Sequence, residues 1–291
     1  MKKILITGAS GSLGKYLCKY YKDLGYSIFG IYNTNEISIP GIIKKQIDLG
    51  DFGNINNFIE SILPDLIIHT AALTNVDQCE ESPELAIRMN VGFTDTISKI
   101  ASSLDIKMIH ISTDHLWDGK VEFVTEETAV CPLNVYGKTK AMAEEVLLKN
   151  NSKALVIRTN FFGFNLTNKN SLSDWILRLL KENRNVNGFD DVYFTPISIK
   201  LLTENLTKLY NANVSGIFHV AGKSRISKFE FARQIARTFE QNLNLIQKSS
   251  IQSLAFKANR PFDMSLSTRK MDLIFPNSIP DIETSLSVEA Y

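Results

Sequence analysis

The sequence predicts an α/β fold, with a doubly wound parallel sheet and a smaller C-terminal lobe. Short apolar strands alternate with amphipathic helical stretches in the first half of the 291-residue chain, a pattern typical of a parallel sheet covered on both faces. A glycine-rich turn also joins the first strand to the first helix, and right-handed crossovers then give the doubly wound order. We expect residues 1–160 to form the sheet domain and 161–291 the smaller lobe, with interleaved segments.

The elements of the first half follow from apolar runs and helix breakers. A helix is predicted over 13–24 because apolar residues recur at helical spacing and Gly25 then ends the run. Ser82 is expected to cap a helix that begins at Pro83. The other predicted elements are strands at 3–7, 27–32, 65–69, 108–112 and 154–158, a helix at 55–62, and one that carries Tyr136 and continues through 140–148.

The second half has a looser pattern. It predicts loops near 165–170 and 183–191, helices at 199–210 and 227–239, and a strand at 216–220. The tail 257–291 is rich in Pro, Ser and Asp and lacks a long periodic run. We therefore expect this half to add loops to the sheet domain.

Composition excludes several classes of function. The net charge is +1, with 32 basic and 31 acidic residues, which does not favour nucleic-acid binding. The dispersed cysteines Cys18, Cys79 and Cys131 form neither a disulfide framework nor a metal cluster. The N-terminal apolar run is too short for a signal peptide, and no segment has the length of a membrane span. We expect a cytoplasmic protein without a metal and without membrane contact, and a homodimer is only weakly favoured.

The turn Thr7-Gly8-Ala9-Ser10-Gly11-Ser12-Leu13-Gly14 is a candidate phosphate site. Glycines there permit a tight turn and close approach of the backbone to a pyrophosphate, and the helix N-terminus favours an anion. A plain tight turn is the alternative. The residues expected to contact a dinucleotide are Gly8, Ser10, Gly11, Ser12 and Leu13, which makes the predicted sheet Rossmann-like.

The end of the second strand bears on the type of cofactor. An acidic residue there would bind the ribose hydroxyls, but this strand ends in the neutral Asn33 and Thr34. Asn33 would tolerate a 2′-phosphate, so the pattern favours NADP(H) and leaves NAD(H) open. Asp48 is expected to accept from the adenine amino group, with Leu49 beside it, although a capping role for Asp48 is the alternative.

Tyr136 and Lys140 are the candidate reactive pair. Lys140 follows Tyr136 by four positions, so on a helix both side chains project from one face. A nearby ammonium favours the phenolate, which lets a tyrosine transfer protons near neutral pH. The spacing alone is common by chance. Downstream of a nucleotide turn and of Ser112-Thr113, it indicates hydride-transfer machinery.

Together these motifs resemble the extended short-chain dehydrogenase/reductases and, within them, the dTDP-4-dehydrorhamnose reductase group. The resemblance covers nearly the whole chain, to about residue 275. Its carriers are the glycine turn, His69-Thr70-Ala71-Ala72-Leu73-Thr74-Asn75-Val76-Asp77, Asn90-Val91, Ser112-Thr113-Asp114-His115-Leu116-Trp117-Asp118-Gly119, Pro132-Leu133-Asn134-Val135-Tyr136-Gly137-Lys138-Thr139-Lys140, Val156-Ile157-Arg158-Thr159, Gly216-Ile217-Phe218-His219-Val220-Ala221-Gly222 and Arg260-Pro261.

The resemblance implies a catalytic trio of Thr113, Tyr136 and Lys140. Tyr136 would protonate the C4 oxygen of the substrate, Thr113 would hydrogen-bond the same oxygen, and Lys140 would lower the phenol pKa and bind the nicotinamide ribose. Tyr136 and Lys140 therefore also count as cofactor contacts. Ala71 and Ala72 would lie beneath the cofactor or simply pack a strand end, and Asn90 would orient the cofactor or lie on a helix surface. The implied substrate contacts are Thr74, Asp114, His115, Trp117 and Arg260.

Some residues depart from the family pattern. His115 stands where the family often has Tyr, and Trp117 follows two positions later, so the substrate pocket is expected to differ. A satisfied, non-catalytic role is the alternative for His115, as is a surface role for Arg260. The implied activity is NADPH-dependent reduction of a nucleotide-linked 4-keto-6-deoxy sugar for surface polysaccharide. The alternatives are an epimerase or dehydratase of the same superfamily, or a non-catalytic NADP-binding regulatory subunit.

Overall fold

The computed structural model describes residues 2–48, 52–164 and 171–290, and of Phe52 only the backbone. Leu49 and the predicted loop at 165–170 lie outside the described residues. The strands are β1 Lys3–Thr7, β2 Ser27–Tyr32, β3 Ile43–Gln46, β4 Leu66–His69, β5 Lys107–Ile111, β6 Leu155–Arg158, β7 Phe161–Phe162, β8 Val186–Phe189, β9 Tyr193–Phe194, β10 Ile197–Ser198, β11 Gly216–His219, β12 Ile226–Ser227, β13 Ile246–Ser249 and β14 Asp263–Met264. The helices are α1 Ser12–Asp23, α2 Phe52–Ile62, α3 Val76–Glu81, α4 Pro83–Ala86, α5 Phe93–Ser103, α6 Val135–Asn150, α7 Leu172–Lys181, α8 Ile199–Asn211, α9 Lys228–Thr238, α10 Arg269–Ile274 and α11 Ile282–Ala290.

A seven-stranded sheet has the order β11-β6-β5-β4-β1-β2-β3. From β6 to β3 every neighbouring pair is parallel. The strand order reverses direction at β1, and this reversal is the switch point at which α/β sheets bind ligands. The predicted Rossmann-like, doubly wound α/β fold is therefore confirmed.

The chain divides into two compact units. The first comprises residues 1–112, 134–157 and 213–217, and the second residues 113–133, 158–212 and 218–291. In the first unit, apolar side chains of the sheet pack against α2, α5 and α6, with Leu5, Ile67 and Phe93 fully buried among them. This packing holds the sheet and α6 together, so the ends of the central strands are fixed relative to that helix.

A wide helical turn interrupts one long helix of the first unit. Residues Ile87–Gly92 form a π-helix that joins α4 to α5 without a break. Such turns are rare and are frequently found at functional sites. This one buries Asn90 and Val91.

The second unit has its own core and three small sheets. These are β7 with β10, β8 with β13, and β9 between β12 and β14. Phe194 and Phe231 meet edge to face in its core, with ring centroids 5.3 Å apart. Leu286 of α11 is buried in the same cluster.

The observed elements agree with the first-half predictions to within three residues at each end. β1 and β2 have the predicted bounds, whereas α6 begins before Tyr136. The loop predicted at 183–191 was wrong in part, because β8 pairs there with β13. The tail is also more regular than expected, since β14, α10 and α11 lie within it and bury Met271 and Leu286. Within the ranges the structure describes, no helix has both the length and the apolar character needed to cross a bilayer.

Candidate active site

The glycine turn has two glycines fixed by packing and one that faces outward. Gly8 has φ +65°, and a Cβ there would lie 2.7 Å from the backbone N of Ala71. A Cβ on Gly14 would lie 2.2 Å from the carbonyl oxygen of Gly8. Gly11 is exposed, and its added Cβ would meet only that same oxygen, at 3.2 Å. The turn therefore packs tightly against the sheet and keeps its outer side open.

This open side fits the pyrophosphate of a dinucleotide. Gly11 is the N-cap residue of α1, and it supplies no side chain to bind the first N–H groups of the helix. Those N–H groups and the helix dipole attract an anion. Ser10 and Ser12 are half-buried on this turn, whereas Leu13 is buried beneath it.

The other predicted cofactor contacts lie at neighbouring strand ends of the first unit. Asn33 follows β2, and its carbonyl accepts from the Gln46 side chain at 2.9 Å. Asp48 is exposed just beyond β3. Ala71 is buried beneath Gly8, and Ala72 beside it is half-buried. The structure thus brings Gly8 and Ala71 together as neighbours, with no room for a side chain at position 8.

Tyr136 lies in the first turn of α6, which has a well-formed N-terminus. The side chain of Asn134 accepts the N–H of Gly137 at 2.9 Å, a typical N-cap. Glu80 accepts the N–H of Val135 at 3.0 Å. The ring of Tyr136 is largely buried against Cys79 and Ala86. The backbone that carries Tyr136 is therefore fixed at the helix start.

Lys140, one turn later on α6, is only 2% exposed. Its ammonium donates to the carbonyl of Ile111 at 2.8 Å and lies 3.1 Å from Nε2 of His110. Burial lowers the pKa of Lys140 to about 8, and the nearby Glu144 carboxylate opposes this shift. Glu144 itself accepts a short hydrogen bond from the Ser112 hydroxyl. The sequence did not indicate His110 or Glu144, because only the parallel sheet and α6 bring them to Lys140.

Asn90 is buried, so its interpretation as a helix-surface residue was wrong. Its Oδ1 accepts the N–H of Leu73 at 2.7 Å, and its Nδ2 donates to the Leu73 carbonyl and to Thr139. The π-turn directs this side chain between α6 and the loop after β4. Asn90 therefore holds the segment that precedes Thr74, which is itself exposed.

In the second unit, Thr113 and Asp114 form a buried polar pair. The Thr113 hydroxyl donates to the Asp114 carboxylate at 3.3 Å and accepts the N–H of His115 at the same distance. Asn160 donates to the other carboxylate oxygen of Asp114 at 2.5 Å. Thr113 directly follows Ser112, the residue bonded to Glu144 in the first unit. Asp114 is thus held in place by two polar neighbours, Thr113 and Asn160, of which Asn160 was not predicted.

His115 lies among charged groups of the second unit. Its Nε2 is 4.0 Å from Asp114. Burial lowers its pKa, as do the positive charges of Lys228 and Arg260, while Asp114 raises it. The structure therefore places the predicted substrate contacts Asp114 and His115 side by side, with Arg260 near enough for its charge to act on the same imidazole.

Lys228 is the residue of this cluster that the sequence did not reveal. Its ammonium lies 3.2 Å from the centre of the Phe194 ring, and burial lowers its pKa to about 8 against the pull of Asp114. It is the first residue of α9, after the capping residue Ser227. A lysine in a first helical turn is normally solvated, so no local pattern marks this one as half-buried.

Trp117 is buried in the second unit and is held on several sides. Its indole N–H donates to the Thr128 carbonyl at 3.3 Å, and the Arg158 guanidinium lies 5.1 Å from the ring centre. His219 meets the ring edge-on at 5.7 Å.

Arg260 is half-buried, with its guanidinium 5.0 Å from the centre of the Phe256 ring.

Comparison with known proteins gives a consistent result. A model of the RmlD substrate binding domain family matches residues 1–288. The chain is 28% identical to the probable low-salt glycan biosynthesis reductase Agl14 of Haloferax volcanii, over 97% of this chain and 95% of that protein. It is 30% identical to dTDP-4-dehydrorhamnose reductase of Salmonella typhimurium, over 94% and 93%.

A solved structure and a further relative extend the comparison. The crystal structure of dTDP-4-dehydrorhamnose reductase from Bacillus anthracis in complex with NADP matches with a TM-score of 0.89 and 26% identity, over 99% of both chains. Methionine adenosyltransferase 2 subunit beta of Xenopus laevis is 29% identical over 82% of this chain and 72% of that protein.

Proposed function

Because the chain belongs to the RmlD substrate binding domain family, we propose that it reduces the C4 keto group of a nucleotide-linked 4-keto-6-deoxy sugar. It is an NAD(P)H-dependent oxidoreductase acting on a nucleotide sugar, like the named reductases it resembles. The finer part of the proposal is a dTDP-linked substrate of the 4-dehydrorhamnose type, used to make deoxysugars for surface polysaccharide.

The observation that carries this proposal is the setting of Tyr136 and Lys140. Both lie on α6, one turn apart, and the buried ammonium is held by Ile111 and His110. A buried ammonium retained at this position costs free energy, so packing alone does not explain it. An ammonium next to a phenol favours loss of the phenolic proton, which a proton donor to a carbonyl oxygen requires.

In the proposed reduction, the bound cofactor supplies the hydride, and three residues of the chain handle the proton and the developing charge. When bound, NADPH supplies the hydride for the carbonyl carbon. Tyr136 gives its proton to the carbonyl oxygen, which becomes the new hydroxyl group. Lys140 stabilises the resulting phenolate and binds the nicotinamide ribose. Thr113 turns its hydroxyl proton from the Asp114 carboxylate to the developing alkoxide and donates a hydrogen bond there.

We assign cofactor binding to the first unit and sugar-nucleotide binding to the second. Gly8, Ser10, Gly11, Ser12 and Leu13 would hold the pyrophosphate. Asn33, Asp48, Leu49, Ala71 and Ala72 would bind the rest of the dinucleotide. The predicted substrate contacts are Thr74 in the first unit and Asp114, His115, Trp117 and Arg260 in the second. The net positive charge of the Asp114, Lys228 and Arg260 cluster suits an anionic nucleotide sugar.

Turnover on a panel of nucleotide sugars tests the proposal. Purified protein is mixed with NADPH and with dTDP-, GDP- and CDP-linked 4-keto-6-deoxy sugars, and loss of the nicotinamide absorbance band is followed. We expect oxidation with the dTDP-linked substrate, and a drop in kcat of about 10²–10⁴-fold in Tyr136→Phe. Tyr26→Phe removes a hydroxyl from the loop after α1 and should leave kcat unchanged. If Tyr136→Phe turns over at the wild-type rate, Tyr136 is not the proton donor.

The same assay separates the other candidates. The similarity to methionine adenosyltransferase 2 subunit beta favours a non-catalytic NADP-binding subunit as the second candidate. That function predicts NADPH binding without oxidation on any sugar in the panel. An epimerase would change the stereochemistry of the sugar without net use of cofactor, whereas the reductase consumes one NADPH for each sugar.

A further inference from the structure

Two buried histidines lie side by side beneath α6. His69 of β4 and His110 of β5 are paired in register, and their ring centroids are 5.1 Å apart. Both side chains are almost completely buried, at 0% and 1% exposure. Burial lowers both pKa values, that of His69 to about 3, so both rings are neutral at physiological pH.

The hydrogen bonds of His69 are complete. Thr94 donates its hydroxyl proton to the Asn90 carbonyl at 2.6 Å, so its oxygen accepts from Nε2–H of His69 at 3.0 Å. Nδ1 of His69 then accepts from the Thr7 hydroxyl at 2.7 Å. Both ring nitrogens are paired, and this network ties β1 and β4 to α5. His69 therefore has a sufficient structural role.

His110 differs, because only one of its nitrogens is paired. Its Nε2 lies 3.1 Å from the Lys140 ammonium, which has only donors to offer, so Nε2 must accept. The ring proton is then on Nδ1, a buried atom with no hydrogen-bond partner among the described residues. An unpaired buried N–H is unfavourable and rare in folded proteins. The ring is thus held in the tautomer in which Nε2 accepts from Lys140 and the N–H at Nδ1 is left without a hydrogen bond.

The contact also determines where Lys140 can act. An ammonium has three tetrahedrally arranged N–H donors. Two of them have acceptors in Ile111 and His110, at 2.8 and 3.1 Å. Fixing two directions fixes the third, which leaves one donor with a defined orientation. The other ionisable groups that face this pair are Glu144, which accepts from Ser112, and the neutral His69.

We propose that neutral His110 is a positioning residue, which acts through Lys140 by accepting one of its N–H groups and so keeps the ammonium charged and oriented. The effect on turnover rests on the proposed reductase function. The effect on Lys140 does not, since it is a property of the hydrogen bond alone. His110 touches neither substrate nor cofactor in this scheme.

A pair of variants of similar shape tests the hydrogen bond. His110→Gln can present an amide oxygen close to the position of Nε2, whereas His110→Met has similar length and no comparable acceptor. The pKa of Lys140 is measured by NMR in protein carrying ¹³C-labelled lysine, with the signal assigned by its loss in Lys140→Met. We expect His110→Met to lower this pKa by about one unit, because the charged form loses an acceptor. In His110→Gln the pKa of Lys140 should lie within about 0.3 units of the wild-type value, because the amide oxygen replaces most of the lost hydrogen bond.

Activity supplies the second measurement. In His110→Met the alkaline limb of the kcat profile should move to lower pH with Lys140, while KM for the sugar changes less than kcat. His69→Gln is the control, since it removes the neighbouring imidazole without touching Lys140, and it should leave the Lys140 pKa unchanged. Equal pKa values in the Gln and Met variants would overturn the proposal. Absence of turnover in wild type would instead refute the reductase function and leave the NMR test intact.

The wild-type protein provides a test that does not depend on any variant. The chain has only 4 histidines, so ¹⁵N shifts of the imidazoles can be assigned individually. We expect His110 to carry its proton on Nδ1 and His69 on Nε2 at neutral pH. A proton on Nε2 of His110 would contradict the proposed hydrogen bond directly.

Discussion

Replacing glycines near the first turn separates packing from cofactor binding. Gly25, which follows the C-terminus of α1, serves as the reference, because it has φ +86° and no atom of the described residues lies within 4 Å of an added Cβ. Gly25→Ala should therefore destabilise only through left-handed backbone strain, about 1–2 kcal/mol. Gly8 has a similar φ of +65°, but its Cβ would also lie 2.7 and 2.8 Å from backbone atoms of Ala71. These backbone atoms follow a central strand and cannot move aside as a side chain can. The steric overlap should therefore destabilise Gly8→Ala by about 1–3 kcal/mol more than Gly25→Ala is destabilised.

Gly14 and Gly11 complete the series. Alanine is favoured over glycine inside a helix by about 1 kcal/mol, yet a Cβ on Gly14 would lie 2.2 Å from the Gly8 carbonyl oxygen. We expect this steric overlap to outweigh the gain in helix propensity, so Gly14→Ala should be less stable than wild type. Gly11→Ala meets only one atom at 3.2 Å, and its stability should change by no more than about 0.5 kcal/mol. Its methyl group would stand on the open side of the turn, so NADPH should bind at least about tenfold more weakly, a change of about 1.4 kcal/mol.

Urea unfolding and NADPH fluorescence titration measure the two effects. The expected order of stability is wild type and Gly11→Ala, then Gly25→Ala, then Gly8→Ala. Gly25→Ala should bind NADPH as wild type does. If Gly8→Ala proves as stable as Gly25→Ala, the close contact with Ala71 is refuted. If Gly11→Ala binds NADPH normally, the turn does not hold the pyrophosphate.

Two further predictions concern Lys228 and Asn134. The pKa of Lys228 in the fold, about 8, lies below its ordinary value of 10.5, so its charged form destabilises the protein fully below pH 8 and progressively less up to pH 10.5. Lys228→Met should therefore be more stable than wild type by about 1–3 kcal/mol at pH 7, with the difference shrinking near pH 10 in urea unfolding. The exposed Lys223→Met is the control, and a variant less stable at both pH values would contradict the reasoning. Asn134→Ala should lose about 1 kcal/mol of unfolding free energy because α6 loses its cap, and Asn134→Ser should retain most of it; equal losses in the two would refute the capping role.

Local sequence patterns predicted the elements that bury a continuous or periodic apolar face. The apolar runs in β1 and β2 and the apolar spacing in α1 are of this kind. The glycine turn was also predicted, because its spacing of glycines is itself a local pattern. β3 was missed because Ile43–Gln46 is exposed along its whole length and owes its extended shape to pairing with β2. The pairing of β8 with β13 joins segments distant in the chain, which local patterns do not encode. The sequence of α7 has the periodic apolar face of a helix, although no helix was predicted there.

The candidate site shows the same limit. Tyr136 and Lys140 could be predicted because both lie on one helix at a diagnostic spacing. His110 could not, because its role depends on the register that sets β5 beside β4 and on the packing of α6 above them. Lys228 likewise gains its significance from the burial of α9 against Phe194. Of the two alternatives for Asn90, the helix-surface one was wrong because the side chain is buried within the π-turn.

That π-turn also determines where the chain can lose a residue. Each residue of an α-helix advances the next by about 100° around the axis, whereas a π-turn, with its i→i+5 hydrogen bonds, takes about one residue more for the same rotation. Deleting one residue within Ile87–Gly92 would therefore let the wide turn rewind as α-helix and leave α5 facing almost the same way relative to α4. Phe93, whose ring lies 5.2 Å from that of His69, would keep its place against the sheet, whereas a deletion within α5 would rotate every later residue of that helix by about 100°. We expect the chain to tolerate the loss of one residue in the π-turn better than a loss in the regular helix after it.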